Sequence, residues 1–129
     1  MSESIVINIT AKRDDTMNND LSQAQVDAIL DAAHRAAERE VTTLYNKNGN
    51  DWGACGFAWV NIWGVKGNSK LGRKLKAAGV SQDYTRAFSI WNPGGYGGQN
   101  IAIKEAGAQA YATVLKSYGF DATAGSRLD

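Results

Sequence analysis

His34 is the only histidine and Cys55 the only cysteine in the chain. A nucleophilic triad needs a base beside its nucleophile and a third group to orient that base, and a zinc centre needs three or four His, Cys or carboxylate ligands. One imidazole and one thiol do not supply either set, and nothing around Ala54-Cys55-Gly56 activates the thiol. His34 therefore reads as structural or solvated, and Cys55 as a small hydrophobe at the start of a buried strand. The carboxylates add little. Asp14, Asp15 and Asp20 fall in a polar loop, Asp27 and Asp31 on a solvated helix face, and Asp51, Asp83 and Glu105 are too scattered to pair as acid and base. No catalytic residue, metal site or cofactor is expected, and binding is the expected role.

The segment Asn92-Pro93-Gly94-Gly95-Tyr96-Gly97-Gly98 is more informative. A strand that passes through glycines into a helix N-terminus presents backbone amides and a positive dipole end, which suit an anion. The segment lacks the glycine that would complete G-x-G-x-x-G, and no Gly-Lys-Ser/Thr follows, so neither nucleotide fingerprint is present. The alternative is a loop whose glycines serve only its turns. Lys66, Lys70, Arg73, Lys74 and Lys76 form a basic stretch without an acidic residue, and Trp59, Trp63, Trp91 and Tyr96 flank the same central segments. Planar rings with cations suit nucleobases and phosphates, whereas Trp59 and Trp63 are equally suited to a core or a subunit interface. The expected ligand-binding set is Trp91, Asn92, Gly94, Gly95, Tyr96 and Gly97 from the loop and its strand, Trp59 from the central strand, and Arg73, Arg86 and Arg127 as phosphate-binding cations.

The elements that position these residues follow from periodicity. Ile5 to Thr10 is almost wholly β-branched and reads as a strand followed by a polar loop, Lys12 to Asp20. Ser22 and Gln25 fit a capping box, and Val26, Ile29, Leu30, Ala33, Ala37, Val41 and Leu44 recur at helical spacing over about 23–46. Gly56 to Val65 reads as a central strand, with Phe57, Trp59, Asn61, Trp63 and Val65 on one face and Ala58, Val60, Ile62 and Gly64 on the other. Asn68 or Ser69 caps a short basic helix, Lys70 to Ala78, stopped by Gly79 with Val80 folding back on Leu75. A third strand is expected over Tyr84 to Trp91 and a third helix over Gln99 to Tyr118, where Ala102, Ala106 and Ala110 allow a close neighbour. Gly119 stops that helix, and the tail offers a last edge strand. The order β-α-β-α-β-α(-β) implies an α+β fold, with helices packed on a mixed sheet of three to five strands.

The chain has 129 residues, enough for a single domain, with a hydrophobic fraction of 43% and 21% charged residues. No apolar run is long enough to span a bilayer, and Met1 to Thr10 has no basic, apolar leader pattern, so a cytoplasmic protein without a membrane partner is expected. The net charge of +1 hides an asymmetry, since residues 1–60 carry −4 and residues 61–129 carry +5. That suits either a polyanion or complementary surfaces in an oligomer, and a homo-oligomer is expected because a two-faced apolar strand in so small a domain offers more hydrophobic surface than three helices readily cover.

The segments Gly53-Ala54-Cys55-Gly56-Phe57-Ala58-Trp59-Val60, Trp91-Asn92-Pro93, Lys104-Glu105-Ala106-Gly107-Ala108 and Ala124-Gly125-Ser126-Arg127-Leu128-Asp129 resemble small accessory proteins of tailed bacteriophages and prophages. The aromatic-plus-basic character and the Trp91-Asn92-Pro93 turn also look like phage sponge proteins that sequester nucleotide second messengers of Thoeris-type immunity. The resemblance implies an anti-defence role in the host cytoplasm, with a small nucleotide-like ligand held without turnover. The other reading is a protein-binding inhibitor or virion-associated assembly component. As partners, nucleic acid and host protein rank behind the small ligand.

Overall fold

The computed structural model describes residues 20–48, 51 and 53–129. The expected first strand, Ile5 to Thr10, the acidic loop carrying Asp14 and Asp15, and Gly49-Asn50 lie outside the described residues.

Helix α1, Gln23–Asn48, begins at the expected capping box. Ser22 Oγ accepts from Gln25 N at 3.1 Å and Gln25 Oε1 accepts from Ser22 N at 2.8 Å, which satisfies donors that a helix start leaves unpaired. Its stripe Val26, Ile29, Leu30, Ala33, Ala37 and Val41 is buried. Strand β1, Gly56–Trp63, alternates burial residue by residue. Helix α2, Lys70–Ala77, is capped by Ser69, whose side chain accepts from Gly72 N. After it, Gly79 takes a φ of 97° and Val80 N donates back to Leu75 O at 3.0 Å. Strands β2, Ser81–Gln82, and β3, Phe88–Trp91, follow. Helix α3, Ile101–Ser117, and strand β4, Asp121–Leu128, complete the described chain.

The single long third strand expected over Tyr84 to Trp91 is instead a β2–β3 hairpin. Asp83 N donates to Ala87 O and Arg86 N to Asp83 O, both at 2.9 Å, so the chain reverses there. Thr85 N donates to Asp83 Oδ1, an Asx turn that outweighs the strand preference of Tyr84 and Thr85. The sheet order is β2-β3-β1-β4, and every described pairing is antiparallel rather than mixed. The arrangement is α+β, as expected, with the tail strand paired along the whole length of β1.

One face of this sheet is the core. Ala58, Val60, Ile62, Phe88 and Ala122 pack with the α1 stripe and with Ala108, Tyr111, Ala112 and Leu115 of α3. Each aliphatic side chain so buried contributes about 1.5–3 kcal/mol of transfer free energy before entropy is subtracted. A close approach to α3 is made through Gly107, where a Cβ would stand 2.9 Å from Val41 Cγ2 and 3.2 Å from Gly94 Cα. The expected alanine stripe is less deeply placed, with Ala102 exposed and Ala106 and Ala110 half-buried. No described helix is long and apolar enough to cross a membrane.

Candidate functional site: the open face of the sheet

The face of the sheet opposite the helices carries Phe57, Trp59, Asn61 and Trp63 from β1, none of which is buried. The register brings Trp91 beside Trp59, Ser89 beside Asn61 and Arg127 beside Phe57. The Trp59 and Trp91 rings lie parallel, with an interplanar angle of 1° and centroids 5.8 Å apart. Phe57 tilts against Trp91 at 5.5 Å, and the Arg127 guanidinium stands 5.4 Å from the Phe57 centroid. Trp91 is 57% exposed and Trp63 38% exposed. Large apolar rings with that much free surface, gathered on one face, make this face the candidate for a binding or assembly surface. They border a groove of about 480 Å³ with Asn61, Arg127 and Tyr84, and Tyr84 at the hairpin tip is 97% exposed.

The polar groups of the groove are in different states. Trp63 Nε1 donates to Thr123 Oγ1 at 2.9 Å, but the Asn61 amide oxygen is buried with no hydrogen-bond partner. An acceptor left in that state costs about 1–3 kcal/mol, which a ligand N–H reached by a small side-chain rotation would recover.

Of the expected ligand-binding residues, the structure brings Trp59, Trp91 and Arg127 together in this groove. Arg86 lies over the edge of the hairpin in a neighbouring hollow with Lys66 and Lys76. Arg73 is on α2 and donates to Asn68 O at 2.6 Å, lining neither space. The glycine segment also lies away from the groove. Asn92, with a φ of 47°, donates from Nδ2 to Tyr96 O, and its backbone N donates to Ala58 O. Gly94 is buried against α1 and α3, where a Cβ would stand 2.6 Å from Val41 Cγ2. Gly95 and Gly97 are exposed.

The start of α3 does hold an anion, and the chain itself supplies it. Asp51 accepts from the Tyr96 hydroxyl, from Gln99 N at 3.0 Å and from Asn100 N at 3.0 Å. Ile101 N is engaged by Ala54 O, and Ile103 N by the Asn100 side chain at 3.2 Å. The Tyr96 hydrogen bond, followed by those from Gln99 and Asn100, holds the Asp51 carboxyl below its ordinary value of 3.8. Desolvation, then the same carboxylate, pushes the Tyr96 hydroxyl up to about 12, so it remains the donor. A depressed carboxyl contributes stability that is complete above its unfolded value and is lost as pH falls through its folded value. Asp51→Asn is therefore expected to lower the melting temperature at neutral pH and to flatten its decline below pH 3.8. Thermal melts across the acid range check this, and superimposable pH profiles for the two proteins would exclude the role given to Asp51.

His34 is exposed, with Nδ1 3.2 Å from Pro93 O and its ring edge-on to Tyr111 at 4.8 Å. It ties α1 to the loop after β3. Cys55 is exposed, not the buried hydrophobe expected; it stands just before β1, in an isolated bridge to Asn100 outside the packed face of the strand. Among the described residues no three His, Cys, Asp or Glu side chains converge as a metal set. Sequence reasoning missed Asp51, Asn61, Tyr84 and Lys104. The last is buried, donating from Nζ to Gly56 O at 3.0 Å below the Phe57 ring. No protein-family model matches the chain, and no curated protein or solved structure is similar to it.

Proposed function

We propose that the protein binds a nucleotide-like ligand on the open sheet face and holds it without turnover. The observation that carries this reading is the parallel, solvent-facing Trp59–Trp91 pair with Arg127 on the same face. Indole faces stack on any nucleobase, for about 1–3 kcal/mol per base, and a guanidinium adds a charge-assisted contact to phosphate. The Asn61 oxygen, buried and unpaired, would serve as an acceptor for a base N–H once its side chain rotates into the groove. His34 does not line the groove, which leaves the only imidazole of the chain outside the site. In the phage setting that the sequence motifs suggest, a binder of this kind would act by sequestering a host nucleotide signal.

Calorimetric titration with mononucleotides, cyclic nucleotides and ADP-ribose tests the reading. Trp91→Ala and Arg127→Ala are each expected to weaken binding by about one to two decades, the worth of one stacking or charge-assisted interaction. Absence of binding by the wild type to every nucleotide would defeat the proposal. If the wild-type mass is then also twice 13.9 kDa and Trp91→Ala halves it, the face is an interface between two copies.

A further inference from the structure

The groove does not end at the hairpin. Asp83 borders it and also borders a second hollow of about 690 Å³, whose lining includes Lys66, Lys76, Gln82 and Arg86. We infer that the ligand of the open face is a single-stranded nucleic acid, its bases on the tryptophans and its backbone continuing over the hairpin to Lys66, Lys76 and Arg86. The inference rests on the nucleotide-binding reading and specifies its substrate class.

The length of the path favours a polymer. Trp59 and Trp63 are four residues apart on one extended strand, or about 13 Å, and the basic hollow begins beyond Trp63 at Val65 and Lys66. One base with its own phosphate does not span the Trp59–Trp91 pair, Trp63 and the hollow together. A strand of several nucleotides does.

The chemistry along the path favours a single strand. Aromatic rings occupy its middle, with Arg127 at one end and three cations at the other, the combination that tracks a single-stranded backbone while stacking its bases. Paired bases of a duplex would hide the faces that the tryptophans need. Asp83 stands on the ridge between the two spaces, its Oδ1 accepting from Thr85 N at 2.8 Å and from the Thr85 hydroxyl. That carboxylate disfavours a phosphate over the ridge and favours a base amino group or sugar hydroxyl there, with phosphates displaced to the cations beyond it.

The hairpin joins the two spaces. Arg86 holds a φ of 69°, a left-handed conformation that glycine adopts without cost and a residue with a side chain does not. The turn itself needs only the backbone of this residue, through Arg86 N to Asp83 O and Gln82 Nε2 to Arg86 O. An arginine in a glycine position is explained by what its side chain reaches, which is the basic hollow. The same loop turns Tyr84 toward the aromatic groove and Arg86 toward the cations. Lys76 folds in as well, its Nζ lying 3.1 Å from where a Cβ on Gly67 would stand.

Fluorescence anisotropy with labelled oligothymidylates of increasing length, a matching RNA and a duplex control tests this, beside mononucleotide titrations. Affinity is expected to rise with length and level off within the roughly 4 to 16 nucleotides that single-strand modules cover, with the duplex much weaker. A combined Lys66→Ala, Lys76→Ala and Arg86→Gly variant should bind long oligonucleotides at least ten times more weakly. Its salt slope should be smaller by about 2, at about 0.7 for each phosphate no longer neutralised. Arg86→Gly alone should weaken oligonucleotide binding without lowering the melting temperature, which separates a binding defect from a folding defect. Length-independent affinity, equal duplex binding, or a basic variant as good as wild type would overturn the single-strand inference and leave mononucleotide binding standing. Failure of mononucleotides and oligonucleotides alike would overturn both readings.

Discussion

Gly72→Ala is expected to lower the melting temperature by roughly 5 to 10 °C, although alanine is the better helix former by about 1 kcal/mol. The reason is outside the helix. A Cβ on Gly72 would overlap the Lys66 carbonyl oxygen and stand 3.0 Å from the Gly67 oxygen. These are backbone atoms and cannot rotate away. The Lys66 carbonyl is also fixed from below, accepting from Ser69 N at 3.1 Å and from Ser69 Oγ at 2.7 Å, while the same Ser69 Oγ accepts from Gly72 N. Moving the 66–67 segment to make room therefore breaks the cap of α2. Overpacking costs about 1–3 kcal/mol and a lost N-cap about 1 kcal/mol, against the gain of about 1 kcal/mol in propensity, which leaves a net loss of about 2 kcal/mol. Differential scanning calorimetry measures it. A melting temperature equal to or above that of the wild type would mean that the loop yields freely and the close approach has no energetic weight.

In the sequence Gly72 is only a weak helix residue, and its close neighbour appears only in the fold. Features settled within a few residues were readable: the Ser22–Gln25 box, the Ser69 cap, and the stops at Gly79 and Gly119, where Phe120 N returns to Leu115 O at 3.1 Å. The two faces of β1 followed from period two, so Phe57, Trp59, Asn61 and Trp63 fell together from the sequence alone. Strand order was not readable, and with it went the pairing of Trp91 and Arg127 onto the same face, which depends on antiparallel partners from distant segments. Asp51 illustrates the same limit. It reads as an unremarkable loop acid, and only the fold carries it to the amides of Gln99 and Asn100, nearly fifty residues on. The hairpin at Asp83 to Arg86 was obscured for a different reason, since Tyr84 and Thr85 favour strands and the turn hydrogen bonds of Asp83 override that preference.

The glycines of the 92–98 segment attract attention in the sequence because they are clustered, yet their environments divide them. Gly94 is packed between two helices, whereas Gly95 and Gly97 have open space around them. The helix start they lead into already has a carboxylate on its amides. Under the proposed function, phosphate recognition would fall to side-chain cations, Arg127 on the groove and Lys66, Lys76 and Arg86 on the adjoining hollow. The positive charge of the second half of the chain is thus partly gathered along one path, instead of being spread evenly over the surface.

Gly125→Val is expected to abolish most ligand binding while leaving the fold intact. Gly125 sits directly opposite Trp59 in the β1–β4 register. A Cβ there would stand 2.6 Å from Trp59 Nε1 and 2.7 Å from Cε2, so the indole lies flat across the glycine. All three of the nearest atoms to that Cβ belong to the Trp59 side chain and none to the backbone, which means that the ring can leave without disturbing the sheet. Valine is also a good strand residue, so the backbone has no reason to object, and the stability change should stay within about 1 kcal/mol. What disappears is the parallel arrangement with Trp91, now at an interplanar angle of 1°. Two observables report it independently. The exciton couplet that a stacked indole pair gives in far-ultraviolet circular dichroism should vanish, and nucleotide affinity should fall by about one to two decades, the worth of one base stacked on an aromatic platform. Trp91→Ala removes a ring outright, whereas Gly125→Val keeps every aromatic and changes only where one of them lies. Equal losses in the two variants would show that the geometry of the pair, beyond its hydrophobic surface, is what the ligand recognises; a vanished couplet with undiminished affinity would place the ligand elsewhere on the molecule.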